Sequence, residues 1–281
     1  MIRGVDVSNW QGPPADWRPE SGGIDFAGVK ITELGTDGSR YVNPDAAADW
    51  AYLRDHGKGR IGYLFGHPGT SASGSAAFFL AELEARGLDD GDAVALDLEV
   101  SDGESTAHVA SWSADVLALL ERETGRSPLL YTFLSFAEAG NCAGLGKWPL
   151  WIADPSSAAG HPRVPHPWAD WTLHQWRITG PIDRDVARYG DRAEFRAGLG
   201  KHKAKGAAVT EHVTAGKLSL AALAEQHGTA PSAILRLTAE HSHGSVYPAN
   251  VAQWINGVFR GHVKAADPMP SGLHLFLKAK P

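Results

Sequence analysis

The chain has 281 residues, 43% hydrophobic and 21% charged, ordinary proportions for a globular protein with room for more than one core. A single cysteine, Cys142, excludes an internal disulfide framework and a Cys-rich zinc site, and no run approaches the roughly 18 apolar residues of a membrane-spanning helix. The net charge of −6 is divided unevenly: residues 201–281 carry a net +5 and residues 1–200 a net −11, which suggests two modules with different partners.

In chain order, short apolar runs predict strands at Gly4–Val7, Gly28–Thr32, Arg60–Phe65, Ala93–Leu98, Pro128–Phe133, Pro149–Ala153 and Thr172–Trp176. Several are apolar on both faces, the pattern of parallel strands covered by helices. Helical patterns lie between them. Asn43-Pro44 predicts an N-cap with proline at the first helical position, in a helix ending at Gly57. Gly74–Arg86 closes at Gly87, and Val109, Trp112, Val116, Leu119 and Leu120 repeat at helical spacing before Gly125. This alternation over residues 1–195 predicts a parallel α/β barrel of about eight strands. After Leu145 the helical patterns thin out, so loops are expected to join the last strands.

Residues 196–208 are small, basic and aperiodic, and read as a linker. Beyond it, Leu220–His227, Ala230–Leu237 and Pro248–Phe259 predict helices and Leu273–Leu277 a strand, together a small α+β domain over 209–281.

The chemistry concentrates in AVALDLEV, residues 93–100. Asp97 and Glu99 stand two apart, so both side chains leave the same face of an extended strand, with Cα atoms about 6.5–7 Å apart. Desolvation and mutual repulsion raise the pKa of at least one, which suits a general acid near neutral pH. No Lys or Arg occurs from 87 to 121 to make this a local ion pair. A barrel places its active site at this end of the strands. Asp6 ends the first run, Glu33 follows Val-Lys-Ile-Thr, and Asp183 and Asp185 follow the last run. Trp10, Tyr63, Phe65, Tyr131, Trp151 and Trp176 sit at other strand ends, beside the acids. Acids with flat aromatic platforms are suited to holding and cleaving a sugar chain.

Together, Asp6-Val-Ser-Asn-Trp-Gln-Gly12, Val29-Lys-Ile-Thr-Glu33, Tyr63-Leu-Phe65, Asp97-Leu-Glu99 and His174-Gln-Trp176 with Ile182-Asp183 resemble glycoside hydrolase family 25, the Chalaropsis-type lysozymes or N-acetylmuramidases. Leu64 stands where the family has His, and Ile31 where it has Ala. The resemblance implies an irregular (β/α)5(β)3 TIM-like barrel. It also implies hydrolysis of the β-1,4 bond between N-acetylmuramic acid and N-acetylglucosamine in peptidoglycan. It marks Glu99 as general acid/base, with Asp97, Asp6 and Asp183 lining the site. Trp10, Glu33, Tyr63, Phe65, Tyr131, Trp151, Gln175 and Trp176 are the expected substrate-binding residues. The nucleophile stays open between a carboxylate and the substrate's own 2-acetamido group.

Residues 213–238 and the closing PSGLHLFLKAKP resemble a divergent LysM domain, which implies binding of N-acetylglucosamine-containing wall glycans; its basic charge would also suit anionic wall polymers. No cofactor, metal, nucleic-acid partner or stable membrane insertion is expected; His241 and His243 form the closest histidine pair, without matching ligands. The N-terminus shows no signal-peptide pattern, so the expectation is a phage-type endolysin made in the host cytoplasm and released through a holin-type pore. The rival readings are a glycosidase acting on chitin-like glycans and a wall-binding protein without activity.

Overall fold

A computed structural model describes residues 1–178, 180–200, 209–213, 219, 222 and 274–278. The chain divides into two compact units, Met1–Lys203 and Ala204–Pro281.

In the first unit the strands are β1 (Ile2–Val7), β2 (Phe26–Leu34), β3 (Arg40–Val42), β4 (Gly59–Phe65), β5 (Ala93–Asp97), β6 (Leu129–Phe133), β7 (Leu150–Ala153), β8 (Leu173–Arg177) and β9 (Asp183–Ala187). The helices are α1 (Pro14–Ser21), α2 (Ala46–Asp55), α3 (Ala72–Ala85), α4 (Thr106–Thr124), the single turn α5 (Leu134–Phe136) and α6 (Arg192–Leu199). The sheet runs β1-β9-β8-β7-β6-β5-β4-β2, and β2 pairs back onto β1, closing an eight-stranded barrel with β3 hanging from β2. Seven barrel strands run parallel. The eighth, β9, runs antiparallel to both β8 and β1.

Side-chain alternation sorts the barrel into two cores. Val5, Val29, Ile31, Leu64, Leu96 and Ile152 point outward and pack under Trp50, Phe79, Leu83 and Val116. Phe26, Ile61, Ala93, Leu129 and Leu173 point inward, where Phe195 and Leu199 of α6 plug the lower end. Phe195 stacks on Phe26 with ring centroids 5.0 Å apart. Fully burying a side chain of this kind is worth about 1.5–3 kcal/mol, so the apolar floor leaves the opposite mouth free to carry charge. Beneath that floor, the buried Arg60 donates to Asp92 at 2.8 and 2.7 Å and to Asp89 at 2.7 Å, and lies over the Trp50 ring. Serine caps start two of the outer helices: Ser71 accepts from Gly74 N before α3, and Ser105 from His108 N before α4. Gly125, at φ 65°, ends α4 in the left-handed region that glycine tolerates best.

Several expectations are corrected. Asp183 and Asp185 do not follow the last strand; they lie on β9, which closes the barrel. The helix expected from Pro44 starts at Ala46, because Asn43 is occupied elsewhere, donating to Lys30 O and accepting from Asp45 N. The short helix α1 and strand β3 have no counterpart among the predicted elements. Helix α6 runs to Leu199, through the first residues of the expected linker, since Phe195 and Leu199 are needed in the floor.

In the second unit, β10 (Val209–Val213) pairs antiparallel with β11 (His274–Lys278), the latter covering most of the predicted strand Leu273–Leu277. The LysM-like helical segments within 213–259 and the pair His241/His243 lie outside the described residues, apart from Val213, Ser219 and Ala222.

Candidate active site

The mouth at the C-terminal ends of the parallel strands opens into a cavity of about 810 Å³. Asp6 enters it from the end of β1, Lys30 from β2, Tyr63 and Phe65 from β4, and Asp97 from β5. Tyr131 enters from β6, Trp151 from β7, Gln175 from β8 and Asp183 from β9. Each faces inward because it shares strand parity with the barrel's interior core. Glu99, two residues past Asp97, joins the same face, as the spacing predicts, while Leu98 between them turns outward into the helix-facing core. The backbone stays in register there: Leu98 N donates to Tyr131 O at 2.9 Å and Gly66 N to Asp97 O at 2.7 Å.

Carboxyl groups dominate the electrostatics. Asp97 is buried and shares a hydrogen bond with Glu99; burial first, and then the Glu99 charge, hold it well above the usual carboxylate range. Burial also raises Glu99, against the hydrogen bond to Asp97 and the Lys30 charge, which lower it. On the facing wall, Asp6 and Asp183 are register partners on β1 and β9. Burial and the Asp183 charge push Asp6 up to about 7, opposed by the hydrogen bond from Gln175. Burial raises Asp183 too. Asp185, one turn of the pleat deeper, is held well above the usual range by burial and by Asp6. It accepts from Trp151 Nε1 at 2.7 Å. Asp97 Oδ1 and Asp185 Oδ2 are buried with no donor among the described residues, the situation in which a carboxyl keeps its proton.

Neutral groups frame these acids. Gln175 donates to Asp6 Oδ2 at 2.7 Å and accepts from Tyr131 Oη at 2.9 Å; Tyr63 Oη donates to Val7 O at 3.3 Å. Trp151 lies edge-on to both Tyr63 and Tyr131. Its indole fits because residue 28 is glycine: a Cβ there would stand 2.5 Å from Trp151 Cη2. Trp10, at the rim, is 86% exposed, a flat apolar face open to solvent.

At one side of the mouth, Lys30 Nζ donates to Glu33 at 2.6 Å, and His67 bridges Glu33 at 3.0 Å and Asp102 at 2.8 Å. Asp102 also accepts from Gly69 N, in a left-handed backbone conformation (φ 52°) unusual for a residue other than glycine. Its carboxylate thereby ties the loop carrying Glu99 to the loop after β4. Burial works against charge on His67, but the hydrogen bonds it donates to Asp102 and Glu33 outweigh it and raise its pKa.

Of the expected site residues, Asp6, Asp97, Glu99, Asp183, Trp10, Tyr63, Phe65, Tyr131, Trp151 and Gln175 line this cavity. Two do not. Glu33 is held away by Lys30 and His67. Trp176 is corrected outright: it follows inward-facing Gln175 on β8, so alternation turns it to the outer wall, where it lines a separate cavity with Arg3 and Ile24. Leu64, at the family's His position, likewise faces the helices, so this substitution leaves the mouth unchanged. His174 is a core residue, accepting from Gly160 N and donating from Nε2 to Asp154 O. Lys30, Ser8, Phe133, Asp154 and Arg163 also line the cavity; isolated cations and small polar residues carry no sequence pattern that marks them.

The model of glycosyl hydrolases family 25 matches residues 5–184. The N,O-diacetylmuramidase of Arthroderma benhamiae is 31% identical over 215 residues, 70% of this chain and 83% of that protein. The uncharacterized protein YegX of Escherichia coli K12 is 31% identical over 163 residues, and the match takes in 54% of this chain but only 56% of YegX, little more than half its length. The crystal structure of the bacterial lysozyme from Streptomyces coelicolor superposes with a TM-score of 0.59 at 26% identity, covering 70% of this chain and 96% of that one.

Proposed function

The chain belongs to glycosyl hydrolase family 25, and from that membership and the chemistry of the barrel mouth we propose that it hydrolyses peptidoglycan as a lysozyme of the N-acetylmuramidase type, cleaving the β-1,4 bond from N-acetylmuramic acid to N-acetylglucosamine. The observation that carries the reading is the Asp97–Glu99 pair: two hydrogen-bonded carboxyls, both raised, on one face at the end of β5.

Loss of the second proton from this pair is opposed by the charge left by the first, so the pair retains a proton near neutrality. Glu99 is the less buried member and delivers it. The Glu99 carboxyl protonates the glycosidic oxygen as the C1–O bond breaks. Its carboxylate then takes a proton from the water that attacks C1, which restores the acid. While Glu99 carries the shared proton, the deeper Asp97 is a buried carboxylate that can accept a hydrogen bond from the substrate. That favours an orienting role toward the substrate's 2-acetamido group. Asp6 and Asp183 face the pair across the cavity and stabilise positive charge as it develops at C1. Exposed Trp10 and the Tyr63–Trp151–Tyr131 cluster offer the apolar faces against which sugar rings stack.

For the second unit the proposed role is wall binding, supported by the net +5 charge of residues 201–281. The finer reading of the whole chain is an endolysin, an acidic catalytic unit carried to an anionic wall by a basic one. Expression inside a bacterial host with and without a co-expressed holin tests it: lysis only with the holin supports the role, and lysis independent of it opposes it.

The chemical reading is tested with Glu99→Gln and Asp97→Asn on purified cell walls. Loss of about 10³-fold or more in turnover for Glu99→Gln, with unchanged thermal unfolding, is expected for a general acid/base. Release of wall fragments at the wild-type rate by Glu99→Gln would remove Glu99 from the reaction.

A further inference from the structure

The cavity that must accept an anionic polymer is itself lined by Asp6, Asp97, Glu99, Glu138, Asp154 and Asp183. Those of them that are ionised repel a carboxylate on the substrate, and the protonated ones offer it no positive charge. Two cations also line it. Lys30 is 14% exposed and is engaged by Glu33 at 2.6 Å. Arg163, on the loop between β7 and β8, is 61% exposed.

Arg163 is built into place from behind. Asp154, 1% exposed at the end of β7, accepts from Arg163 Nη2 at 2.7 Å, Nε at 3.1 Å and the backbone N at 3.0 Å. It also accepts from Ser156 Oγ at 2.7 Å and Ser157 Oγ at 2.6 Å, so neither of its oxygens is left without donors. Asp154 O is anchored to β8 through His174 Nε2 at 3.0 Å. Arg163 Nη2 donates further to Ser156 Oγ at 2.7 Å. These bonds occupy Nε and Nη2 and fix the plane of the guanidinium. Nη1 has no hydrogen-bond partner among the described residues. A guanidinium with Nε and Nη2 locked and Nη1 unbonded among the described residues, on a side chain that lines the cavity, is pre-organised to receive a carboxylate, at little cost in side-chain entropy.

We propose that Arg163 is a specificity-determining residue whose Nη1 edge binds a carboxylate carried on the lactyl arm of a muramoyl unit. The inference rests on the peptidoglycan reading above and extends it. The carboxylate has two sources of the same chemistry: the lactyl group itself, where the stem peptide has been removed, or an acidic residue of the stem peptide. A neutral chitin-type glycan offers neither, so Arg163 contributes to the choice between the two polymers.

The test compares wild type, Arg163→Gln and Arg163→Lys on soluble glycan strands with intact stem peptides and on strands stripped of them, each with free and with methyl-esterified carboxyls. For wild type, esterification is expected to raise KM about tenfold on at least one strand type, the size of one lost charge-assisted contact, with the loss falling on KM more than on kcat. Arg163→Gln is expected to show the raised KM on the free acid and to lose the response to esterification, and Arg163→Lys to recover part of it. A response on stripped strands assigns the contact to the lactyl carboxylate, and a response on intact strands alone assigns it to the stem peptide. No response in wild type, or the same response in wild type and Arg163→Gln, would overturn the proposal. If Arg163→Gln does not fold, Arg163→Lys carries the same comparison, and a wild-type response to esterification that Arg163→Lys reproduces in full would assign the contact to charge alone and overturn the role of the guanidinium. If no strand of either kind is cleaved by wild type, the peptidoglycan reading fails and the inference falls with it, a result distinct from cleavage that ignores the ester.

Discussion

Gln175 on β8 donates from Nε2 to Asp6 Oδ2 on β1 at 2.7 Å, and its other amide atom accepts from Tyr131 on β6, so one uncharged side chain fixes an acid that burial would otherwise keep protonated. The bond favours the ionised form and works against burial and the Asp183 charge, which together place Asp6 at about 7.

Replacing Gln175 removes that opposing influence and moves Asp6 further up. If ionised Asp6 serves the reaction, Gln175→Leu shifts the ascending limb of the kcat/KM–pH profile to higher pH and lowers activity at pH 6 by about tenfold or more. A profile superposing on that of wild type would detach Asp6 from the rate.

Gly28→Ala places a methyl group 2.5 Å from Trp151 Cη2. The indole has to move, and with it the hydrogen bond that holds Asp185. Overpacking of this kind costs about 1–3 kcal/mol. A lowered Tm together with quenched activity is expected, whereas Gly38→Ala is a poor control because residue 38 itself has positive φ. Ala27→Ser, on the outward face of the same strand, is a better comparison for activity.

Asp49 gives a stability test remote from the mouth. It is buried on α2, accepts from Trp17 Nε1 at 2.8 Å, and leaves Oδ2 without a partner. Burial, reinforced by Asp45, raises its pKa from 3.8 to about 7. Because the folded-state pKa lies above the unfolded one, the folded state binds the proton more tightly. Stability from this group is complete below about pH 4 and declines as pH rises towards 7. Asp49→Asn keeps an acceptor for Trp17 and cannot ionise. The variant should gain on wild type between pH 5 and 8, by at most about 4 kcal/mol given 1.36 kcal/mol per pK unit. Chemical denaturation at a series of pH values measures it; a constant difference between the two proteins would contradict the assignment.

The Arg60–Asp92–Asp89 network lies at the other end of the barrel from the carboxyls. Breaking a buried pair by removing one partner costs about 3–5 kcal/mol. Arg60→Met is expected to lower the denaturation midpoint strongly while folded protein at low temperature keeps wild-type turnover. Loss of turnover without loss of stability would place this network in the catalytic machinery instead.

The barrel was legible where side chains alternate cleanly. Tyr63 and Phe65 against Leu64, or Asp97 and Glu99 against Leu98, assign both the strand and the face that meets the cavity. Strand β9 was illegible for the opposite reason. Asp183-Arg184-Asp185 reads as a charged loop, and only the closed ring explains why two acids point into a protein interior. Helix α1 was hidden by Pro19, which argues against a helix on local grounds. Trp176 is expected at the mouth from its strand-end position and from its motif, neither of which weighs the strand parity that turns it outward. The contact of Asp185 with Trp151 is not legible in the sequence, since contacts across 34 residues have no local signature. Lys30 and Arg163 are not legible as site residues because the value of a solitary cation depends on what folding brings beside it.

The central claim concerns which bond is cut. Peptidoglycan digested with wild-type protein, reduced with borohydride and hydrolysed to its sugars, identifies the newly formed reducing end. The account predicts reduced muramic acid, accumulating with wild type and absent with Glu99→Gln. Reduced glucosamine as the new end, or equal yields from the two proteins, would contradict it.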